Sequence, residues 1–130
     1  MFVQNLNDRQ QSCLLHYADE VMRADGRIDP AELVVMNELR NQMKPGVKAE
    51  DIAVAALPGV FKRRLSRVSF LLELFTMAYA DKNFDRTEAR LLSEVTKVFG
   101  FDKGGEIESI NQWAKDHLDL MKRAHRIMEE

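Results

Sequence analysis

The feature that most constrains this chain is an acidic nine-residue motif that occurs twice. The first copy runs from Ala24 to Glu32 and reads ADGRIDPAE. The second copy runs from Ala80 to Glu88 and reads ADKNFDRTE. The alanine, both aspartates and the glutamate occupy the same places in the two copies. A duplication of this kind predicts two similar helical hairpins, each containing one acidic turn.

Apolar residues recur at helical spacing through most of the 130 residues, and no segment shows the alternation of a strand. The sequence therefore predicts an all-α fold, a single-domain bundle of six to eight helices covering 1–130. The repeat predicts pseudo-two-fold symmetry, with halves of about 8–57 and 58–130. The almost uniformly apolar segment from Phe70 to Ala80 is expected at the centre of the bundle.

Local signals place the ends of the helices. Asn7 and Gln10 predict a capping box, and Gly26 and Gly100 are expected to end helices in the left-handed conformation. A short helix is predicted over 49–57, broken by Pro58 and Gly59. A final helix is predicted from Glu106 to about Met128, with its apolar residues, Met128 included, facing the core.

Composition excludes several classes of protein. Charged residues of both signs make up 31% of the chain and the net charge is −2, so no nucleic-acid partner is expected. The runs at 62–67 and 122–126 are basic and could contact phosphate, but they are interpreted as solvated helix faces. A single cysteine, Cys13, is expected to be a small buried apolar residue. Without a signal peptide or a long apolar span, the sequence predicts a cytoplasmic protein that does not insert into a membrane.

The acidic motif matches only the second half of an EF-hand calcium loop. The leading ligand positions of such a loop would fall on Val21 and Arg23 in the first copy. In the second copy they would fall on Met77 and Tyr79. None of these side chains can supply a carboxylate oxygen, and Lys82 replaces the glycine of the loop. The sequence therefore excludes an ordinary EF-hand.

Two interpretations of the acidic turns stay open from the residues alone. Each motif contains the residue pair of a helix N-terminal capping box. The pairs are Asp29 with Glu32 and Asp85 with Glu88. Capping does not explain the first aspartate of each motif, because it follows a helix C-terminus, where the dipole disfavours negative charge. The alternatives are a cation site and a purely structural turn in a protein-binding helical domain.

The paired acidic turns in an all-helical chain resemble the tellurite-resistance protein B (TerB-like) family. The resemblance implies a bacterial stress-response domain that binds divalent cations and protein partners and is not an enzyme. It implies six metal ligands: Asp25, Asp29, Glu32, Asp81, Asp85 and Glu88. In that family a glycine usually stands at the place of Lys82, so the second site is expected to be weaker.

The chemistry of the proposed ligands indicates which ion to expect. Carboxylate and carbonyl oxygens suit calcium or magnesium better than zinc, for which the three histidines show no close ligand spacing. Glu73 is a further candidate functional residue, because it is a carboxylate within the apolar segment. It needs a partner, such as His16 or an arginine, or a position that faces a groove. A metal-dependent hydrolase is the third interpretation, because carboxylate-bound magnesium also serves enzymes.

Overall fold

The computed structural model describes residues 1–24, 26, 30–80 and 86–129, without the side chains of 86–88. Six α-helices occur in these ranges, together with two 3-10 turns at Val3–Asn5 and Val54–Ala56, and no strand. The helices are α1 (Asp8–Arg23), α2 (Pro30–Gln42), α3 (Leu57–Val60), α4 (Arg64–Ala80), α5 (Arg86–Val98) and α6 (Glu106–Glu129). The predicted all-α class is confirmed. The pseudo-two-fold repeat and the division into halves stay predictions.

Helix α4 forms the centre of the bundle, as its apolar sequence predicts. Phe70, Leu71, Leu74 and Met77 have no exposed surface. Four other long helices, α1, α2, α5 and α6, pack against α4. Burial of one such side chain contributes about 1.5–3 kcal/mol, so this helix carries a large share of the hydrophobic stabilisation.

The N-terminus of α1 is held by the predicted capping box. The N–H of Gln10 donates to Oδ1 of Asn7 at 2.8 Å, and the N–H of Asn7 donates to Oε1 of Gln10 at 2.9 Å. The glycine stops are confirmed too, because φ is +74° at Gly26 and +82° at Gly100. These local signals therefore place the helix ends where the sequence predicts them.

Replacing Asn7 with alanine is expected to lower the free energy of unfolding by about 0.5–2 kcal/mol, because one N–H of the first turn loses its acceptor. The measurement is urea denaturation followed by circular dichroism. The control is Asn41→Ala, which removes the same side chain from an exposed position near the end of α2. Equal losses in the two variants would show that the cap contributes nothing specific.

The predicted helix over 49–57 is wrong. Residues 47–53 are irregular, and Pro58 and Gly59 lie inside the short helix α3 instead of breaking one. Tertiary hydrogen bonds explain the difference: the N–H of Glu50 donates to the Ser12 carbonyl at 3.1 Å, and the Tyr17 hydroxyl donates to the Ile52 carbonyl. Proline in the first turn of α3 costs no hydrogen bond, since that N–H would lack a helical partner.

Helix α6 has buried residues only as far as Leu118, just past its midpoint. Ile110, Ala114 and Leu118 are buried, whereas Met128 is 79% exposed, so its predicted inward position is wrong. The reason is length: α6 has 24 residues and α4 has 17, which makes α6 longer by about 10 Å. The last turns of α6 therefore have less of α4 to pack against. None of the described helices is long and apolar enough to cross a membrane.

Candidate cation site

The structure describes both edges of the first acidic turn. Helix α1 ends at Arg23, and the N–H of Gly26 donates to the Arg23 carbonyl at 3.1 Å. Helix α2 begins at Pro30, the predicted first helical position. Asp25 and Asp29 lie outside the described residues, so their predicted roles as ligand and cap stay predictions.

The second acidic turn is bounded by α4 and α5. Helix α4 ends at Ala80, which is buried, and α5 begins at Arg86. Asp81 and Asp85 lie outside the described residues. Glu88 falls within α5, but its side chain is not among those described, so its contacts stay untested as well.

The described borders of the two turns lie at the same end of the molecule. Ala31, in the first turn of α2, and Ala80, the last residue of α4, line one groove of about 540 Å³. The opposite wall of that groove is the second half of α6, including Leu118 and Met121. The fold thus brings the chain segments that border both motif copies to one groove.

Glu32 is the motif carboxylate that the structure describes in full, and it has no exposed surface. It is the third residue of α2, the position at which a capping-box side chain reaches back. The equivalent residue of α1 is Gln10, which makes that contact with a neutral amide. A buried carboxylate costs several kcal/mol more than a buried amide unless it is compensated, so the charge at Glu32 requires compensation from its surroundings.

Glu73 has a structural partner that the sequence did not indicate. Its Oε1 accepts the N–H of Phe2 at 2.8 Å and lies 2.9 Å from the ammonium group of Met1. The expected pairing with His16 or an arginine is wrong, because His16 lies near two other carboxylates. Glu73 does line a groove, of about 270 Å³, between α2 and α6.

Two of the three histidines, His16 and His117, contact neighbouring side chains. The ring of His117 stacks on Trp113 with a centroid separation of 4.9 Å. His16 Nε2 lies 3.1 Å from a carboxylate oxygen of Glu20 and 3.3 Å from one of Asp51. Within the described ranges, no three His, Cys, Asp or Glu side chains are placed to hold one metal ion. The four motif aspartates fall outside that search.

The described residues form a small all-α domain, and in the sequence its two acidic motifs fall between helices. Residues 51–108 match the family model described as tellurite resistance protein TerB. Over this segment, which contains α3, α4, α5 and the second acidic motif, the chain is similar to the TerB family, as its motifs indicate. No significant match was found among curated proteins, and none among solved structures.

Proposed function

We propose that this chain is a non-enzymatic module that binds a divalent cation at its acidic turns. The observation that carries the proposal is the full burial of Glu32 inside the first motif. A carboxylate in that position is stabilised by a bound cation more effectively than by water, from which it is withdrawn. Calcium or magnesium fits oxygen donors, and zinc is the less suitable ion.

The comparison with α1 supports the proposal from within the same molecule. Helix α1 begins with Asn7 and Gln10, a capping box without charge. At α2 and α5 the motif replaces this neutral pair with Asp29 and Glu32, and with Asp85 and Glu88. A capping role needs the hydrogen bonds but not the charge. The excess negative charge at both turns is what a cation site needs.

The family description adds a biological setting to this chemistry. The matched family is described by tellurite resistance. We place the chain in a metal-resistance or stress response, where a cation-loaded domain would contact a protein partner. This role needs no catalytic group, and the three carboxylates of each motif act as ligands. The second site is expected to bind more weakly because Lys82 adds a positive charge beside it.

The proposal is tested by Glu32→Gln, which keeps a side chain able to cap and removes the charge. With 1 mM calcium and a dissociation constant near 0.1 mM, the wild-type chain should gain about 1.4 kcal/mol of unfolding free energy over its value in chelator. The Glu32→Gln variant should gain little. Each variant is compared with itself, with and without calcium, so a change in its intrinsic stability does not affect the result.

The matched control is Glu38→Gln, because Glu38 is an exposed carboxylate on the same helix. This variant should keep the full calcium response. If Glu32→Gln does not fold, Asp25→Asn takes its place; it should equal or exceed the wild type in chelator and fall below it in calcium. Equal calcium responses in wild type, Glu32→Gln and Asp25→Asn would contradict the proposal. The acidic turns would then be caps in a structural, protein-binding domain.

A further inference from the structure

A third concave surface lies at the beginnings of α1 and α4, away from the ends that border the acidic motifs. It is a cleft of about 480 Å³ between the start of α1 and the connection from α3 to α4. Three of the residues that line it are cations, namely Arg9, Lys62 and Arg63, and none is acidic. The remaining lining includes polar side chains such as Asn5 and Ser66. A cleft of this composition favours an anionic ligand.

The structure divides the basic run at 62–67 into two groups with different roles. Arg64 lies over the ring of Phe101 at 5.3 Å, and Arg67 lies over the ring of Phe99 at 5.5 Å. Both guanidinium groups are therefore engaged by aromatic rings outside the cleft. Lys62 and Arg63 are exposed, and neither forms an ion pair with any residue that the structure describes.

The third cation of the cleft, Arg9, is paired only at the surface. Its Nε lies 3.4 Å from a carboxylate oxygen of Glu50, with exposed fractions of 64% for the arginine side chain and 45% for the glutamate. Exposed pairs of this kind contribute about 0–1 kcal/mol. A doubly charged anion in the cleft can therefore compete with Glu50 for the guanidinium group.

We propose that this cleft binds the phosphate group of a small anionic molecule. Two arginines and a lysine supply the planar and the point-like donors by which proteins bind phosphate oxygens. The cationic side chains of the lining and the concave shape suit a small charged solute better than a purely apolar ligand.

The cleft is separate from the acidic turns. The cleft contains the beginnings of α1 and α4. The ends of these helices, where the acidic motifs begin in the sequence, lie about 24 Å away along each axis. The inference therefore stands whether or not the turns bind a cation.

The test is a titration with inorganic pyrophosphate, at low ionic strength, in buffer freed of metal by a chelating resin so that the acidic turns hold no cation. Binding is followed by backbone amide shifts. Saturable shifts are expected at 59–66 and at Arg9. The double variant Lys62→Gln/Arg63→Gln should weaken binding about tenfold or more. The double variant Lys122→Gln/Arg123→Gln, which removes an exposed basic pair from α6, should leave it unchanged.

Two further arms separate the sources of the phosphate group. The whole chain is mixed with vesicles of neutral lipid carrying phosphatidylglycerol, and separately with a single-stranded RNA of ten nucleotides. The proposal predicts that pyrophosphate binds the cleft and competes with any binding of vesicle or RNA there. Binding of vesicle or RNA without binding of pyrophosphate would overturn it. Absence of saturable shifts, or equal weakening by the two double variants, would overturn it too.

Discussion

Replacing Phe70 with alanine is expected to lower the free energy of unfolding by about 3–5 kcal/mol. The ring has no exposed surface and lies among aromatic rings from α1 and from the residues that directly follow α3 and α5. Its centroid is 4.6 Å from that of Phe61, 5.9 Å from that of Tyr17 and 6.0 Å from that of Phe99. Truncation leaves a cavity that this aromatic cluster cannot close, because three rings would have to move together.

Urea denaturation measures this loss as a fall in the midpoint at an unchanged m-value. The matched control is Leu65→Ala, an apolar truncation on the same helix at a side chain that is 62% exposed. That variant should change stability by no more than about 0.5 kcal/mol. A loss below about 1.5 kcal/mol in Phe70→Ala would mean that the cluster is not the centre of the core.

The second large expected effect is alkaline unfolding driven by two buried acids. Burial raises the pKa of the Cys13 thiol from its usual value of 9.0 to about 12, with a smaller contribution from the Glu50 carboxylate. Burial likewise raises the pKa of the Tyr17 hydroxyl, which donates to the Ile52 carbonyl. Both groups are neutral in the folded state, and both ionise more easily in the unfolded chain.

Proton linkage gives the direction in which the free energy of unfolding changes with pH. Below pH 9 both states hold these protons and stability is at its full value. Above pH 9 the unfolded chain loses the Cys13 proton first, and above pH 10 it loses the Tyr17 proton, so stability falls by about 1.4 kcal/mol per pH unit for each group. Between pH 8 and pH 11 the expected loss is about 4 kcal/mol, of which Cys13 accounts for about two-thirds.

Unfolding free energies measured by urea denaturation at several alkaline pH values check this prediction. Cys13→Ala removes one titrating group, so its stability should fall less steeply above pH 9, by about 1.4 kcal/mol per pH unit. Asp116→Ala on the exposed side of α6 serves as a control, because it leaves both buried acids in place. Parallel curves for wild type and Cys13→Ala would show that the thiol does not contribute.

The parts of the fold that the sequence predicted depend on local chemistry. Asn7 and Gln10 form their capping box within four consecutive residues, and Gly100 ends α5 through its own backbone freedom. The central position of α4 follows from apolar residues on every side of the helix, which no surface position would accommodate. Such features can be predicted because the residues that determine them are neighbours in sequence.

The predictions that were wrong depend on contacts between distant segments. Residues 47–53 stay irregular because backbone groups of Glu50 and Ile52 are engaged by α1. Glu73 contacts the N–H of Phe2 and the ammonium group of Met1, and such main-chain groups leave no sequence signal that could identify them. The exposure of Met128 follows from the lengths of two helices that pack together, which is a property of the pair.

In the candidate site too, local features could be predicted from the sequence and contacts between distant segments could not. The acidic motif and its position between helices could be predicted, and the burial of Glu32 is consistent with a predicted ligand. The convergence of Ala31 and Ala80 on one groove required the fold. Sequence alone also could not separate Lys62 and Arg63, which line a cleft, from Arg64 and Arg67, which lie over aromatic rings.

The burial of Cys13 makes its thiol a probe for the opening of the folded chain. It is the only cysteine among the 130 residues, and no part of it reaches the surface. A thiol reagent such as iodoacetamide can therefore modify only those molecules in which α1 has separated from the core. When closing is faster than alkylation, the labelling rate is proportional to the fraction of molecules that are open at equilibrium. Mass spectrometry of a single adduct would then measure the opening of this helix in dilute samples without any denaturant.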